Sequence, residues 1–453
     1  MNPVPSDDLI RKYNVPAPRY TSYPTVPFWE SAPDVAQWRD HVQQAFTRKP
    51  EVSVYIHLPY CERLCTYCGC NTRITRNHEV ERPYQEAIVR EWELYREIWP
   101  EAPTLRELHL GGGTPTFFQP DQLEAMLGPI LTSSRIHPQA SMGFEAHPNS
   151  TRVDHLLALY GLGFRRISIG VQDFGDDIMR LINRRQSTEQ VYQLTRQARQ
   201  VGFTSVNFDL IFGLPKQTIT HIDQTMNHIE ALRPERIAFY SYAHVPWMKP
   251  GQRAYSEADL PAEHQKRALY EHGRAQLEAM GYIEIGMDHF ALPGDELQLA
   301  LEAGHLHRNF MGYTPFATEL LVGLGASAIS DAGTAFAQNE KSVEDYHSRI
   351  AEGRHPIFKG HQLNDEDRRL RRHISEIMCN LTTRLAPTDL EDPAVADALA
   401  ALQTMEADGL LVRSGDRLQV TERGRPFVRN IGMAFDARLK RRQPETSLFS
   451  QSV

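Results

Sequence analysis

The sequence predicts an α/β protein in which six strand–helix units curl into a partial (β/α)6 barrel. An N-terminal arm and a smaller, mostly helical C-terminal domain of winged-helix-like layout flank it. Three observations lead there. From residue 52 onward, short β-branched or aromatic runs alternate with longer amphipathic stretches, the pattern of repeated strand–helix units on a parallel sheet. Glycines (Gly161 and Gly163, Gly202, Gly281) stand near the ends of several helical stretches, where a left-handed residue stops a helix before the next strand. The residues best suited to chemistry fall at the carboxyl ends of the strands or line their interior, where β/α barrels collect active sites.

Residues 1–50 hold Pro16, Pro18, Tyr20, Tyr23, Pro24, Pro27, Phe28 and Trp29, too apolar for a disordered tail and too broken for a long helix. This stretch is expected to be an arm that either covers the active site or fills a hydrophobic groove. The barrel domain is assigned to 51–360, with strands at 52–58, 105–110, 142–146, 165–171, 205–211 and 236–242. Helices are expected at 81–98, 119–132, 151–161, 187–201, 217–232 and 261–279. A cysteine-rich loop follows the first strand and Gly111-Gly112-Gly113-Thr114 the second. Glu145 ends the third, Gln172 the fourth, Asp209 lies in the fifth and Ala243 follows the sixth. A further segment from Tyr282 to Ser330, through His305, His307 and Arg308, is expected to close the open side. Residues 361–453 read as a helix-rich domain with a hairpin turning at Ser414–Asp416.

The chain has 453 residues, 41% of them hydrophobic, and no run long enough to span a membrane. A formal net charge of −8 gives no long-range pull on nucleic acid or an anionic membrane, so an anionic substrate would need locally placed arginines. The N-terminus carries no signal-peptide pattern, and a reducing, cytoplasmic setting is expected, in which thiols serve metals or catalysis.

Four of the five cysteines lie in the ten residues Cys61-Glu-Arg-Leu-Cys65-Thr-Tyr67-Cys68-Gly-Cys70. Short loops of this spacing let thiolates converge on an iron–sulfur cluster. Cys61, Cys65 and Cys68 fit; Cys70 follows Cys68 too closely to take its own iron without strain. Three ligands on a [4Fe–4S] cluster leave one iron open to a bound molecule. The alternative is a structural zinc knuckle, although such sites usually come as two separated pairs.

The spacing Cys-x3-Cys-x2-Cys, with Tyr67 before the third cysteine, resembles the signature of the radical S-adenosylmethionine (SAM) enzymes. Tyr55-Ile-His57-Leu-Pro-Tyr-Cys61, the extra Cys70, Gly111-Gly-Gly-Thr114-Pro-Thr and Gly170-Val-Gln172-Asp-Phe narrow the resemblance. With Pro18-Arg19-Tyr20-Thr-Ser-Tyr23-Pro and Arg429-Asn-Ile-Gly-Met-Ala-Phe435-Asp, they are similar to the oxygen-independent coproporphyrinogen III oxidase family over almost the whole chain.

The resemblance implies a radical SAM barrel in which Cys61, Cys65 and Cys68 ligate a [4Fe–4S] cluster. Tyr55, Tyr67, Gly112, Gly113, Thr114, Glu145, Arg184 and Asp209 would bind the cofactors, Tyr55, Glu145, Arg184 and Asp209 at positions that contact SAM. The family is described as binding two SAM molecules, and Gln172, Ala243 and Ile329 match additional positions around them. Cys70 belongs to the extended motif without being a ligand. His57 either hydrogen-bonds a cluster sulfur or is a histidine satisfied within the barrel. One departure is Ala146-His147-Pro148, where the best-known members resemble Val-Asp-Pro.

The implied reaction is radical oxidative decarboxylation of two propionate side chains of coproporphyrinogen III to vinyl groups, giving protoporphyrinogen IX. A low-potential donor such as flavodoxin or ferredoxin would feed a monomeric enzyme. Arginine forks would hold the remaining propionates, with Arg19 and Arg308 as candidates and Arg184 reserved for SAM. Competing readings are a haem-binding chaperone of the same fold, a radical SAM enzyme such as a methyltransferase on another substrate, and a DNA-binding iron–sulfur sensor.

Overall fold

The structure, a computed structural model, describes residues 5–31, 33–442, 449 and 451. They gather into two compact units: one holds 30–261 and 318–362; the other holds the segment up to 29, 262–317 and the chain from 363 on. Three consecutive domains were expected from sequence, whereas these units are each assembled from separated segments.

The first unit carries the six barrel strands: β1 Glu51–Leu58, β2 Thr104–Gly112, β3 Arg135–Ala146, β4 Arg166–Gln172, β5 Ser205–Phe212 and β6 Arg236–Ser241. Neighbours pair in parallel in that order. On the other edge of β1 lies β7, Leu320–Leu324, also parallel, and then an antiparallel meander of β8 Ile329–Asp331, β9 Ala335–Asn339 and β10 Ile357–Gln362. β1 therefore does not pair with β6, and the barrel is partial. Of the segment expected to close its open side, the Leu320–Ser330 part extends the sheet beside β1.

The helices begin and end on local chemistry. Ser187 accepts from Gln190 N–H, whose side chain returns the bond, and so starts Thr188–Val201; Gly202, at φ 116°, ends it. Gly163 and Gly281 also adopt positive φ, whereas Gly161 is the last helical residue of Val153–Gly161 and stops nothing. β3 begins seven residues before the expected 142, because the register shifts between Leu105 and Glu107 and residues 137–140, with Pro138, bulge out opposite Arg106.

Each barrel strand turns an apolar face to the helices and a polar one inward. In β5, Val206, Phe208 and Leu210 are fully buried, while Asn207 and Asp209 are half-buried. Burying such apolar side chains contributes roughly 1.5–3 kcal/mol each. This drive fixes register, and register places the polar set: His109 beside Tyr55, Ser168 beside Asn207, Gly170 beside Asp209.

In the second unit, helices Asp365–Asn380 and Pro393–Ala407 pack with a small sheet around Leu370, Ile374, Ile377, Leu402, Phe427 and Ile431. Leu9, Tyr13, Tyr20 and Tyr23 join this core, so the N-terminal segment is apolar because it is a core element of this unit. The hairpin pairs Ser414 with Arg417, placing its turn at Gly415–Asp416. A third strand, Thr382–Arg384, lies against Arg417–Val420; its three residues are too short to show a period in the sequence.

Candidate active site

The cysteine loop leaves the end of β1 and is tied down by its backbone. Thr66 N–H donates to Ile182 O (3.0 Å), Thr75 N–H to Cys61 O (2.9 Å) and Asn183 Nδ2 to Leu64 O (2.8 Å). Cys61, Cys65 and Cys68 are half-buried free thiols; Cys70 is exposed and Cys379 is buried in the other unit. Among the described residues, no three His, Cys, Asp or Glu side chains gather as ligands of a single metal ion. An iron–sulfur cluster makes no such demand, since it takes its thiolates on different irons.

Each thiol has its own neighbour. Cys61 Sγ lies 3.3 Å from Thr114 Oγ1, and Arg184 Nη1 points at Cys65 Sγ (3.5 Å). Cys68 Sγ accepts from Cys70 N–H at 3.4 Å. The Cys70 thiol hydrogen-bonds to Cys68 and, against the cost of burial, lowers its pKa to about 6, with the Cys70 amide, Lys249 and Arg184 adding to the effect. Burial pushes Cys61 up to about 12. Cys70 thus acts on Cys68 rather than standing as a separate ligand position.

Arg184 is 6% exposed. Its guanidinium donates to Gly170 O, Gln186 Oε1 (2.9 Å), Tyr67 OH (3.3 Å) and Cys65 Sγ. Among the described residues no carboxylate pairs with it. His147 beside it holds no compensating charge: burial, then Arg184 and Arg63, keep its pKa well below that of a free imidazole. Its Nδ1 accepts from Asn149 N–H at 3.1 Å.

Gly112 sits at φ 109°, and a Cβ there would lie 2.6–2.8 Å from the His57 ring. Its N–H donates to Glu145 Oε2 (3.1 Å). At Gly113 a Cβ would meet Pro59 O at 2.7 Å, and Gly113 N–H and Thr114 N–H bond Leu58 O and Tyr60 O, which seats the turn on the end of β1. His57 spends both ring nitrogens inside the protein: Nε2 donates to Asn71 O (2.8 Å), and Nδ1 accepts from Tyr55 OH (3.1 Å). No ring N–H remains for a cluster sulfur, so the barrel-core alternative for His57 is the one the geometry takes.

Glu145 keeps 41% of its side chain exposed, 3.8 Å from His109 Nε2. Asp209 accepts from Ser168 Oγ (2.8 Å) and Asn207 Nδ2 (2.9 Å), while burial and then Glu145 raise its pKa to about 7. Gln172, at φ 71° on a bulge, shares the space over Gly170 with Arg184. Gln252 Nε2 ties Tyr67 O (2.9 Å) to Ala243 O (3.2 Å). Ile329 begins β8, two strands from β1, with its backbone against Gly323, the register partner of Tyr55. The sequence reading missed His109, Ser168, Asn207, Gln186 and Gln252. Asn207-x-Asp209 was the available signal, since residues two apart share a strand face.

A model of the radical SAM superfamily matches residues 55–229. The oxygen-independent coproporphyrinogen III oxidase of Escherichia coli is 38% identical over 96% of this chain and 95% of its own. That of Synechocystis is 36% identical over 99% and 98%. This chain belongs to the oxygen-independent coproporphyrinogen III oxidase family. The solved Escherichia coli coproporphyrinogen III oxidase, described as a radical SAM enzyme, superposes with a TM-score of 0.89 at 36% identity, covering 96% of this chain and all of that one.

With the family come a [4Fe–4S] cluster and SAM. The donor set fits both groups. Three half-buried thiols on one anchored loop suit iron. A buried guanidinium without a carboxylate suits the carboxylate of SAM.

Proposed function

We propose that this chain catalyses the oxidative decarboxylation of two propionate side chains of coproporphyrinogen III to vinyl groups, giving protoporphyrinogen IX. The observation that carries this is the Cys61–Cys65–Cys68 loop with Arg184 against it, in a chain matching such oxidases over nearly its full length.

In this reading Cys61, Cys65 and Cys68 hold the cluster, and Cys70 tunes Cys68 through its hydrogen bonds. When bound, the cluster and SAM would supply hydrogen-atom abstraction from a carbon of the substrate. Arg184 pairs with the SAM carboxylate, and Glu145 and Asp209 accept from its amino group and hydroxyls. The Gly112–Thr114 turn brings backbone close enough to contact the cofactor. Gln172, Ala243 and Ile329 add contacts around two SAM molecules, Ala243 and Ile329 through backbone and packing only.

Each event breaks a C–H bond at the propionate β-carbon and the bond to the carboxyl carbon. It forms the vinyl double bond as carbon dioxide leaves; the hydrogen atom would pass to the adenosyl group of SAM and the remaining electron to an external one-electron acceptor. The protein's share is to hold the reacting atoms close and exclude water. The enzyme is proposed to act as a cytoplasmic monomer fed by a flavodoxin- or ferredoxin-like donor. No helix among the described residues is long and apolar enough to cross a membrane.

Anaerobic incubation of reconstituted protein with SAM, reductant and coproporphyrinogen III, followed by mass analysis, tests the proposal. The expected products each lack one or two carboxyl groups and carry vinyls. Methylated product, or haem retained stoichiometrically without conversion, would contradict it.

A further inference from the structure

The second unit holds a concentration of positive charge that the cofactors do not use. The strands His307–Asn309 and Gly312–Thr314 form a hairpin that sets Arg308 opposite Tyr313. The Arg308 guanidinium lies over the Tyr313 ring, 4.5 Å from its centroid, and its Nε donates to Arg19 O at 3.4 Å. Tyr313 is itself fixed, its hydroxyl donating to Met378 O (3.2 Å).

Arg308 is 9% exposed, and its Nη1 is buried with no hydrogen-bond partner. Among the described residues no carboxylate pairs with it. Asp288, the nearby acid, is already taken by Arg19 and by His289 Nδ1 at 2.9 Å. Arg429 lies in the same field, donating to the carbonyls of Ala17, Pro18 and Gln451. Lys266 is near enough to Arg429 and Arg19 to feel both. Arg19, Arg429 and Arg308 thus share one field with Asp288, and Lys266, which also feels Glu263, lies beside Arg19 and Arg429. The excess is felt: burial, then neighbouring cations, bring Lys266 down to about 8, and Arg429 down to about 9. A buried, oriented donor with no acceptor implies that the acceptor comes from outside the chain.

We infer that Arg308, with Arg19, Lys266 and Arg429 around it, is a receiving site for a carboxylate of the kind that ends each propionate arm of a tetrapyrrole. This rests on the reaction proposed above. The same chemistry would accept a small free carboxylate, and the test separates the two sources.

Cluster-loaded protein is titrated anaerobically with coproporphyrin III and with its tetramethyl ester, followed by tryptophan fluorescence, and melted with and without sodium propionate. Arg308→Gln and Lys266→Gln are each expected to weaken the acid by about tenfold or more and to leave the ester unchanged. Arg308→Lys is expected to restore part of the loss. Propionate that raises the melting temperature of wild type, but not of Arg308→Gln, would assign the site to small carboxylates as well. Lys266→Gln, with cluster absorbance at the wild-type level, covers the case in which Arg308→Gln misfolds. Wild-type affinity and wild-type propionate response in both variants would overturn the inference. Failure of the proposed reaction reads differently: wild type itself then makes no vinyl product.

Discussion

Arg184 Nη1 lies 3.5 Å from Cys65 Sγ, so one buried guanidinium touches the cysteine loop while no carboxylate among the described residues pairs with its charge. The same side chain holds Tyr67 OH and the carbonyl of Gly170, which joins the loop after β1 to the end of β4.

Arg184→Met should therefore retain iron but lose affinity for SAM. A charged hydrogen bond of this kind contributes about 2 kcal/mol, some thirtyfold in the dissociation constant. Equilibrium dialysis with labelled SAM, alongside iron analysis, measures both. Because His147 is neutral beside Arg184, this deficit should show little pH dependence between about pH 6 and 8.

Gly112→Ala places a methyl group 2.6–2.8 Å from the His57 ring at a φ of 109°. Left-handed strain and the clash together should cost about 2–4 kcal/mol of stability, read as a lowered midpoint in urea. His57→Ala in the same chain should recover the clash but not the strain, so the double variant should fall between Gly112→Ala and wild type.

Asp209 titrates near 7 in the folded protein because burial and Glu145 oppose its charge, against 3.8 when free. Between these values the folded state keeps a proton that the unfolded state has released. Its contribution to stability is therefore fully present below about pH 4 and is lost as pH rises through 7. Asp209→Asn should match wild type near pH 4 and exceed it at pH 8, as measured by denaturant titration at both.

Much of this was legible in the chain. Strand and helix positions followed from periodicity, since the apolar half of each strand must face the helices, and the cysteine spacing announced the loop. The extension of β3 past Pro138 was hidden because a bulge absorbs a residue that normally ends pairing. Contacts between distant segments were also hidden: nothing local to Tyr20 says that it joins the core that holds Ile374 and Phe427. At the site, Glu145 and Asp209 stood out as acids at strand ends. Gln252 and Gln186 did not, because their role is to hold backbone and guanidinium groups brought close only by the fold.

Cys70→Ala should keep the cluster and shift its properties, whereas Cys61→Ala, Cys65→Ala and Cys68→Ala should each lose it. Iron and sulfide content, with the visible absorption band, distinguishes the two classes. The effect of Cys70→Ala follows from its contact with Cys68, whose thiol it draws to about 6.

Mössbauer spectra of anaerobically prepared, iron-57-labelled protein, recorded with and without SAM, test the central claim most directly. The account predicts that one iron of four changes its parameters when SAM is added and that the other three do not. Four irons indifferent to SAM, or zinc found in place of iron, would contradict it.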